Sequence, residues 1–258
     1  MKKAILVVSF GTSHKDTMKN CIEAVEVKID NAFPEYEVRR AFTSGMIIKK
    51  LKKRDNINID SPEDALVKLE EEGFNEVVVQ PLHIIPGKEF GKLKDIVNKY
   101  KGKFNKLKLG RPVLTYIKDY KRAIDALKSQ LPKLHKKSAV ILMGHGTYHP
   151  ANACYSCLQC MLSDEKLNVY VGTVEGYPEI EDIIPKLKDN RIEEVTLMPY
   201  MLVSGDHAKN DMAGEDEDSW KNILESEGFK VNVYLHGLGE NPKYQDLFVE
   251  NVKDAINK

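Results

Sequence analysis

The chain has 258 residues and 42% of them are apolar, enough for one or two packed cores. Basic and acidic residues balance at 39 each, so nothing calls for nucleic acid or an anionic membrane as partner, and the longest apolar runs are far too short to span a bilayer. Four cysteines do not form a secreted disulfide framework, and the Met-Lys-Lys start leads directly into a strand pattern without a small-residue cleavage site. The expectation is a soluble cytoplasmic protein.

Taken in chain order, short β-branched runs at 4–9, 36–42, 76–80 and 105–109 predict strands. Amphipathic stretches at 16–32, 61–72, 90–101 and 118–130 predict the helices among them. The alternation resumes with strands at 139–143, 168–172, 194–198 and 230–234, and helices at 151–163, 178–189, 215–228 and 242–257. Pro62 and Pro178 stand near helix starts, where a missing amide hydrogen costs nothing. Strands that are apolar at consecutive positions, separated by helices, imply parallel sheets covered on both faces. The predicted fold is α/β: two similar doubly wound halves, each with a four-stranded parallel sheet. They occupy 1–130 and 131–258, joined by a short segment at 131–138, with a cleft between them.

The halves are copies. Ala4-Ile-Leu-Val-Val-Ser-Phe10-Gly11-Thr12-Ser-His14 returns as Ala139-Val-Ile-Leu-Met-Gly-His145-Gly146-Thr147-Tyr-His149. Glu76-Val-Val-Val-Gln-Pro81-Leu-His83-Ile-Ile-Pro-Gly87-Lys88-Glu89 returns as Glu194-Val-Thr-Leu-Met-Pro199-Tyr-Met201-Leu-Val-Ser-Gly205-Asp206-His207. Apolar runs, glycines and prolines persist, while Phe10 becomes His145 and Glu89 becomes His207. A scaffold written twice with different side chains suggests one asymmetric site.

In open parallel sheets, ligands bind where strands end and helices begin. His145 follows its strand by two residues, and Glu89 and His207 occupy equivalent loops beyond theirs. Two imidazoles and a carboxylate suit a borderline divalent ion such as cobalt, nickel, iron(II) or zinc. Without a thiolate the ion should exchange, as in a protein that hands its metal on. No His-Glu-x-x-His pattern is present.

Four motifs carry a family resemblance: Gly144-His145-Gly146-Thr147-x-His149-Pro150, Val171-Gly-Thr-Val-Glu175-Gly-Tyr-Pro178, Gln80-Pro-Leu-His83-Ile-Ile-Pro-Gly-x-Glu89 and Ser204-Gly-Asp-His207. Together they resemble the class II tetrapyrrole chelatases, most nearly the anaerobic sirohydrochlorin cobaltochelatases of cobalamin biosynthesis. The resemblance runs from the Ser9–Ser13 loop nearly to the C-terminus. It implies the chelatase fold, a metal held by His145, His207 and Glu89, and insertion of Co2+ into sirohydrochlorin or a related tetrapyrrole with release of two protons. Co2+ would be a substrate, and the missing Gly-x-x-x-x-Gly-Lys-Ser/Thr loop fits an activity that uses no nucleotide.

In that reading His145 serves as both ligand and proton acceptor, since a neutral imidazole suits proton transfer near neutral pH. Glu175 is expected to orient it from outside the metal. Phe10, Leu82 and Met201 are candidate ring contacts, with core packing as the competing reading, and Ser13 and His83 lie in the same loops. His83 could be a further ligand or a hydrogen-bonded supporting group. Lys15, Lys88, Arg111 and Lys209 could rim the site against substrate carboxylates. His14 and His149 are expected to bond backbone. Cys154-x-x-Cys157-x-x-Cys160 lacks a fourth cysteine at Asp164, so helix packing is expected rather than an accessory metal or cluster. The run 214–219 reads as an acidic helix N-terminus. A chelatase for iron or nickel, a non-catalytic tetrapyrrole or metal carrier, a metal hydrolase without its usual motifs, and a homo-oligomer all stay open.

Overall fold

The computed structural model describes residues 2–257. The chain forms two compact units, Met1–Thr115 with Pro242–Lys258, and Tyr116–Asn241. Unit 1 starts with β1 (Lys2–Ser9). A helical run follows: α1 (Lys15–Thr17), a π-helical segment (Met18–Glu23) and α2 (Ala24–Ala32). It continues with β2 (Glu37–Phe42), α3 (Gly45–Asp55), α4 (Pro62–Glu71), β3 (Phe74–Pro81), α5 (Lys88–Tyr100) and β4 (Lys106–Leu109). Unit 2 contains α6 (Ile117–Lys128), β5 (Ser138–Gly144), α7 (Ala153–Asp164), β6 (Val169–Thr173), α8 (Ile180–Asp189) and β7 (Glu194–Pro199). A π-helical segment (Ala208–Met212), α9 (Trp220–Ser226) and β8 (Lys230–Val233) complete it, and α10 (Pro242–Ile256) belongs to unit 1.

Both sheets are four-stranded and parallel, in the orders β2-β1-β3-β4 and β6-β5-β7-β8. The duplication extends to register: Ala4 pairs with Val77 in unit 1, and their counterparts Ala139 and Val195 pair in unit 2. The central strands β1 and β5 are buried at nearly every position because helices cover both faces, which explains their unbroken apolar runs. Edge strands β4 and β8 carry Lys106, Lys108, Lys230 and Asn232, a composition that discourages pairing with another chain. One face of the first sheet packs Leu6, Val8, Leu66, Leu69, Val79, Leu93 and Val97. Its counterpart packs Ile141, Met143, Ile183, Leu187, Leu197, Trp220 and Leu224.

The units are not the consecutive 1–130 and 131–258 of the sequence reading. Helix α6 packs on α7 and counts with unit 2, while α10 packs on α2 and β3 in unit 1. The reason lies in the buried faces. Tyr244, Phe248, Val252 and Ala255 form the apolar stripe of α10, Lys28 of α2 holds Asp246 at 2.7 Å, and Asn251 donates to the Arg111 carbonyl at 3.1 Å. These contacts are long-range, so a linear cut could not anticipate them.

Helix α3 falls between the predicted strand at 36–42 and the predicted helix at 61–72, where the sequence reading assigns no element. Of its eleven residues only Leu51 is buried, and five are Lys or Arg, so the apolar periodicity is weak. Its boundary signals were nevertheless in the sequence: Ser44 caps it by accepting from the Ile47 amide, and Asn56 ends it at φ 55°. Among the described residues no helix is long and apolar enough to cross a membrane.

Candidate metal centre

In unit 2 the loops after β5, β6 and β7 bring His145, Glu175 and His207 together. One donor atom from each lies within 4.8 Å of the others. Ligands around a tetrahedral ion at about 2.0–2.1 Å would be roughly 3.3–3.4 Å apart, so a small contraction would close the set on a metal. The two imidazoles meet edge to face, with centroids 4.7 Å apart and planes at 83°.

Local sequence dictates where His145 sits. Gly144 ends β5 against the Tyr155 ring, and a side chain at Gly144 would collide with that ring. Gly146 has φ +79°, and a Cβ there would come within 2.7 Å of Thr173 Cβ. The loops are also tied by backbone: the Glu175 amide donates to the His145 carbonyl at 2.8 Å and the Val174 amide to Gly144 at 3.1 Å. Asn152 latches them from the side, accepting from the Thr147 amide at 3.1 Å and donating to the Tyr177 carbonyl at 2.7 Å. The duplicated half keeps the same frame, since the Ser44 amide donates to the Phe10 carbonyl at 3.2 Å.

Hydrogen bonding sets the tautomers. His145 Nδ1 lies 3.1 Å from the Gly146 carbonyl, which can only accept, so Nδ1 carries the proton and Nε2 keeps its lone pair. His207 Nδ1 lies 2.6 Å from Asp211 Oδ2, so its Nε2 is likewise free to bind. Asp211 was not among the sequence candidates. The signal was present as an i,i+4 His–Asp pair, but it is useful only if a helical turn follows His207, and the Ala208–Met212 segment supplies that turn. Glu175 departs from its expected orienting role. Its Oε2 is 3.9 Å from His145 Nδ1, beyond hydrogen-bond range, and the Gly146 carbonyl orients the ring instead. Glu175 therefore stands as the carboxylate of the donor cluster.

The remaining candidates separate by burial. Phe10 is 49% exposed, whereas Leu82 is 1% exposed and Ser13 is buried. Leu82 is thus core rather than a ring-facing contact: its amide donates to the Val8 carbonyl at 2.7 Å, pinning the chain to β1. Met201 is partly buried against the unit 2 core. Lys88 is exposed and Lys209 half-buried. Lys15 pairs with Asp55 at 3.3 Å. Arg111 is buried and pairs with Asp254 of α10 at 2.8 Å, so it anchors that helix rather than rimming a site. His149 accepts from the Ala151 amide at 3.1 Å, the backbone role expected of it.

Cys154 and Cys157 are partly buried on α7 and Cys160 is exposed. The Tyr120 hydroxyl of α6 bonds to Cys154, and burial raises that thiol. Among the described residues the three sulfurs do not gather into a donor cluster.

Glu89 lies in the first turn of α5 in unit 1, near His83. Burial pushes its carboxyl up, but Lys92, 2.6 Å from Oε1, the Thr43 hydroxyl and His83 bring it below the ordinary range. Burial pushes His83 down to about 4, against the opposing pull of Glu89. The unfolded chain should then bind a proton near pH 6.5 that the folded chain takes only near pH 4. This contribution to stability is complete above pH 6.5 and lost as pH falls to about 4. Thermal melts across that window should show a falling Tm, and His83→Gln should flatten the slope. An unchanged slope would place the acid sensitivity elsewhere.

Comparison with known proteins gives a consistent result. The family model described as cobalt chelatase (CbiK) matches residues 3–257. The chain is 46% identical over 257 residues to the sirohydrochlorin cobaltochelatase of Salmonella typhimurium, covering 100% of this chain and 97% of that one. It is 34% identical over 259 residues to the sirohydrochlorin cobaltochelatase CbiKC of Nitratidesulfovibrio vulgaris, covering 99% and 91%. Among solved structures, SirB from Bacillus subtilis with Fe3+ aligns with a TM-score of 0.67 at 18% identity, covering 100% of this chain and 97% of that one. CbiX, the terminal enzyme for siroheme biosynthesis in denitrifying bacteria, aligns at 0.57 and 16%, covering 98% and 99%. At these identities the two structures speak to the fold alone.

Proposed function

The chain belongs to the cobalt chelatase family of metal chelatases, and from that membership we propose that it inserts Co2+ into sirohydrochlorin, without a nucleotide, in the anaerobic route to cobalamin. The observation that carries the chemistry is the convergence of His145, Glu175 and His207 at the carboxyl ends of three adjacent strands. Two neutral nitrogens and one carboxylate bind a borderline divalent ion well enough to collect it, and without a thiolate they release it. Glu89, which the family resemblance groups with the two histidines, belongs to unit 1. Within unit 2 the carboxylate role falls to Glu175.

The reaction exchanges two pyrrole N–H protons for one divalent ion, so charge balances when both protons leave. His145 can serve both halves of the exchange. Its Nδ1 proton is committed to Gly146, leaving Nε2 as the single basic atom. That lone pair holds the ion first. Transfer of the ion to the ring would free the same lone pair to accept one pyrrole proton, the second passing to solvent water. His207, braced by Asp211, and Glu175 keep the ion oriented during the transfer. Tyr155 stiffens the loop, its buried ring packed against Gly144.

Anaerobic mixing with sirohydrochlorin and Co2+, Ni2+ or Fe2+ in turn, with no nucleotide, tests this reading. The expected result is many turnovers per chain with Co2+, followed by ring absorbance, and two protons released per ring in weak buffer. A stoichiometric complex without turnover would identify a carrier. Faster turnover with iron or nickel would displace cobalt as the metal.

A further inference from the structure

We propose that helix α3 of unit 1 is a recognition element for the carboxylates of the tetrapyrrole, which it meets through Lys49, Lys50 and Lys53. The identity of the ligand rests on the sirohydrochlorin reading above, and the test reads ring binding without metal.

The duplication singles this helix out. Residues 43–61 carry the chain from β2 to α4 and include α3, whereas 174–179 alone carry it from β6 to α8, the equivalent elements of unit 2. Unit 2 forms its four-stranded sheet with that short connection, so the scaffold does not require α3. The helix also gains little from its own sequence. Leu51 is its single buried residue. Lys49 and Lys53 stand four residues apart and Lys50 and Lys53 three apart, spacings at which like charges repel along a helix. Asp55 is the one acidic residue of α3, and Arg54 and Lys15 hold it at 2.6 and 3.3 Å. Among the described residues no carboxylate pairs with Lys49, Lys50 or Lys53, although the chain as a whole balances 39 bases with 39 acids. A local excess of charge that weakens its own helix is explained by an anion that arrives from outside.

Placement selects the anion. Both ends of α3 are tied to the loop that follows β1: the Ser44 amide donates to the Phe10 carbonyl at 3.2 Å, and the Arg54 guanidinium donates to the Ser13 carbonyl. The helix therefore lies at the carboxyl edge of the unit 1 sheet, where open α/β sheets bind ligands. Met46, Lys49, Lys50 and Lys53 follow the i, i+3, i+4, i+7 spacing that puts them on one helix face, opposite Leu51. That face is exposed, with Met46 at 75%, and Phe10, bonded to the cap, is 49% exposed. Apolar contacts beside flexible cations fit a flat apolar ring with carboxylates on its periphery. Sirohydrochlorin, with an acetate and a propionate on each of its four rings, is such a ligand. Lysine suits the task, since a compact charge on a flexible stem can follow a carboxylate without fixing its geometry.

The experiment titrates metal-free sirohydrochlorin into the full chain under anaerobic conditions, at low and at high salt, and reads absorbance. The triple variant Lys49→Gln/Lys50→Gln/Lys53→Gln should bind at least about tenfold more weakly at low salt. The difference from wild type should close as salt rises. Initial rates with Co2+ should show a raised KM and an unchanged kcat. Tm should match or exceed that of wild type, because glutamine keeps helix propensity and the repulsions are gone. The control Lys121→Gln/Lys133→Gln/Lys136→Gln removes the same charge from exposed lysines of unit 2 and should bind like wild type. A triple variant with wild-type affinity would overturn the proposal, and an α3 built for an acidic protein gives that result. An equal loss in the control would also overturn it, by making the effect one of net charge. Binding that follows α3 without turnover would uphold this proposal and overturn the chelatase reading. A wild type that binds no sirohydrochlorin would overturn both.

Discussion

His145→Ala should fold normally and insert cobalt about 10²–10⁴-fold more slowly than wild type, the usual loss when a positioned proton acceptor is removed. Loss of one metal ligand adds to that deficit. The expectation of an intact fold rests on the duplication. Phe10 occupies the equivalent position, 49% exposed, with its carbonyl accepting from Ser44 as that of His145 accepts from Glu175. The loop is thus held by backbone bonds and by Gly144 and Gly146, none of which needs the imidazole. Ring binding should survive, because one imidazole is a small part of the surface a macrocycle touches. The measurements are anaerobic initial rates, sirohydrochlorin affinity by absorbance, and circular dichroism. A folded variant with near wild-type rate would remove His145 from the mechanism. A variant that loses ring affinity in proportion to rate would make it a substrate contact instead.

The parallel sheets were legible because their strands are apolar on consecutive residues, and the duplicated segments predicted matching halves. Register confirms the duplication pair by pair, from Ala4 with Val77 to Ala139 with Val195. The exchange of α6 and α10 between units was not legible, because an amphipathic helix announces that it buries a face but not which sheet receives it. Likewise α3 was hidden by its five basic residues. In the candidate site, His145 and His207 could be placed from strand ends alone. The orienting partners could not, since Asp211 acts only through the helical turn that follows His207, and Gly146 through a left-handed backbone. Leu82 shows the opposite failure: an apolar residue in a functional loop reads as a ring contact until burial shows it to be core.

Asp211 is where an ordinary surface pair and a functional one predict different results. The His207–Asp211 contact is 2.6 Å long, and the side chains are 37% and 46% exposed. As a helical i,i+4 pair it would be worth about 0.3–0.5 kcal/mol, less than a threefold change in any equilibrium. As the group that fixes His207's tautomer and aims its Nε2, it should be worth about 10–100-fold in metal affinity or activity. His207→Ala, which removes the ligand itself, sets the upper limit. Asp211→Ala should fall short of it by leaving Nε2 present but unaimed. Asp211→Asn can still accept from Nδ1 through its amide oxygen, so it should keep the ring's orientation while losing the charge, and fall between wild type and alanine. Co2+ affinity and initial rate should follow the same order, wild type above Asn, Asn above Ala, and Ala above His207→Ala. Thermal stability should change by little across the Asp211 variants. If Asp211→Ala binds Co2+ within threefold of wild type, the contact is a surface ion pair and His207 needs no carboxylate behind it.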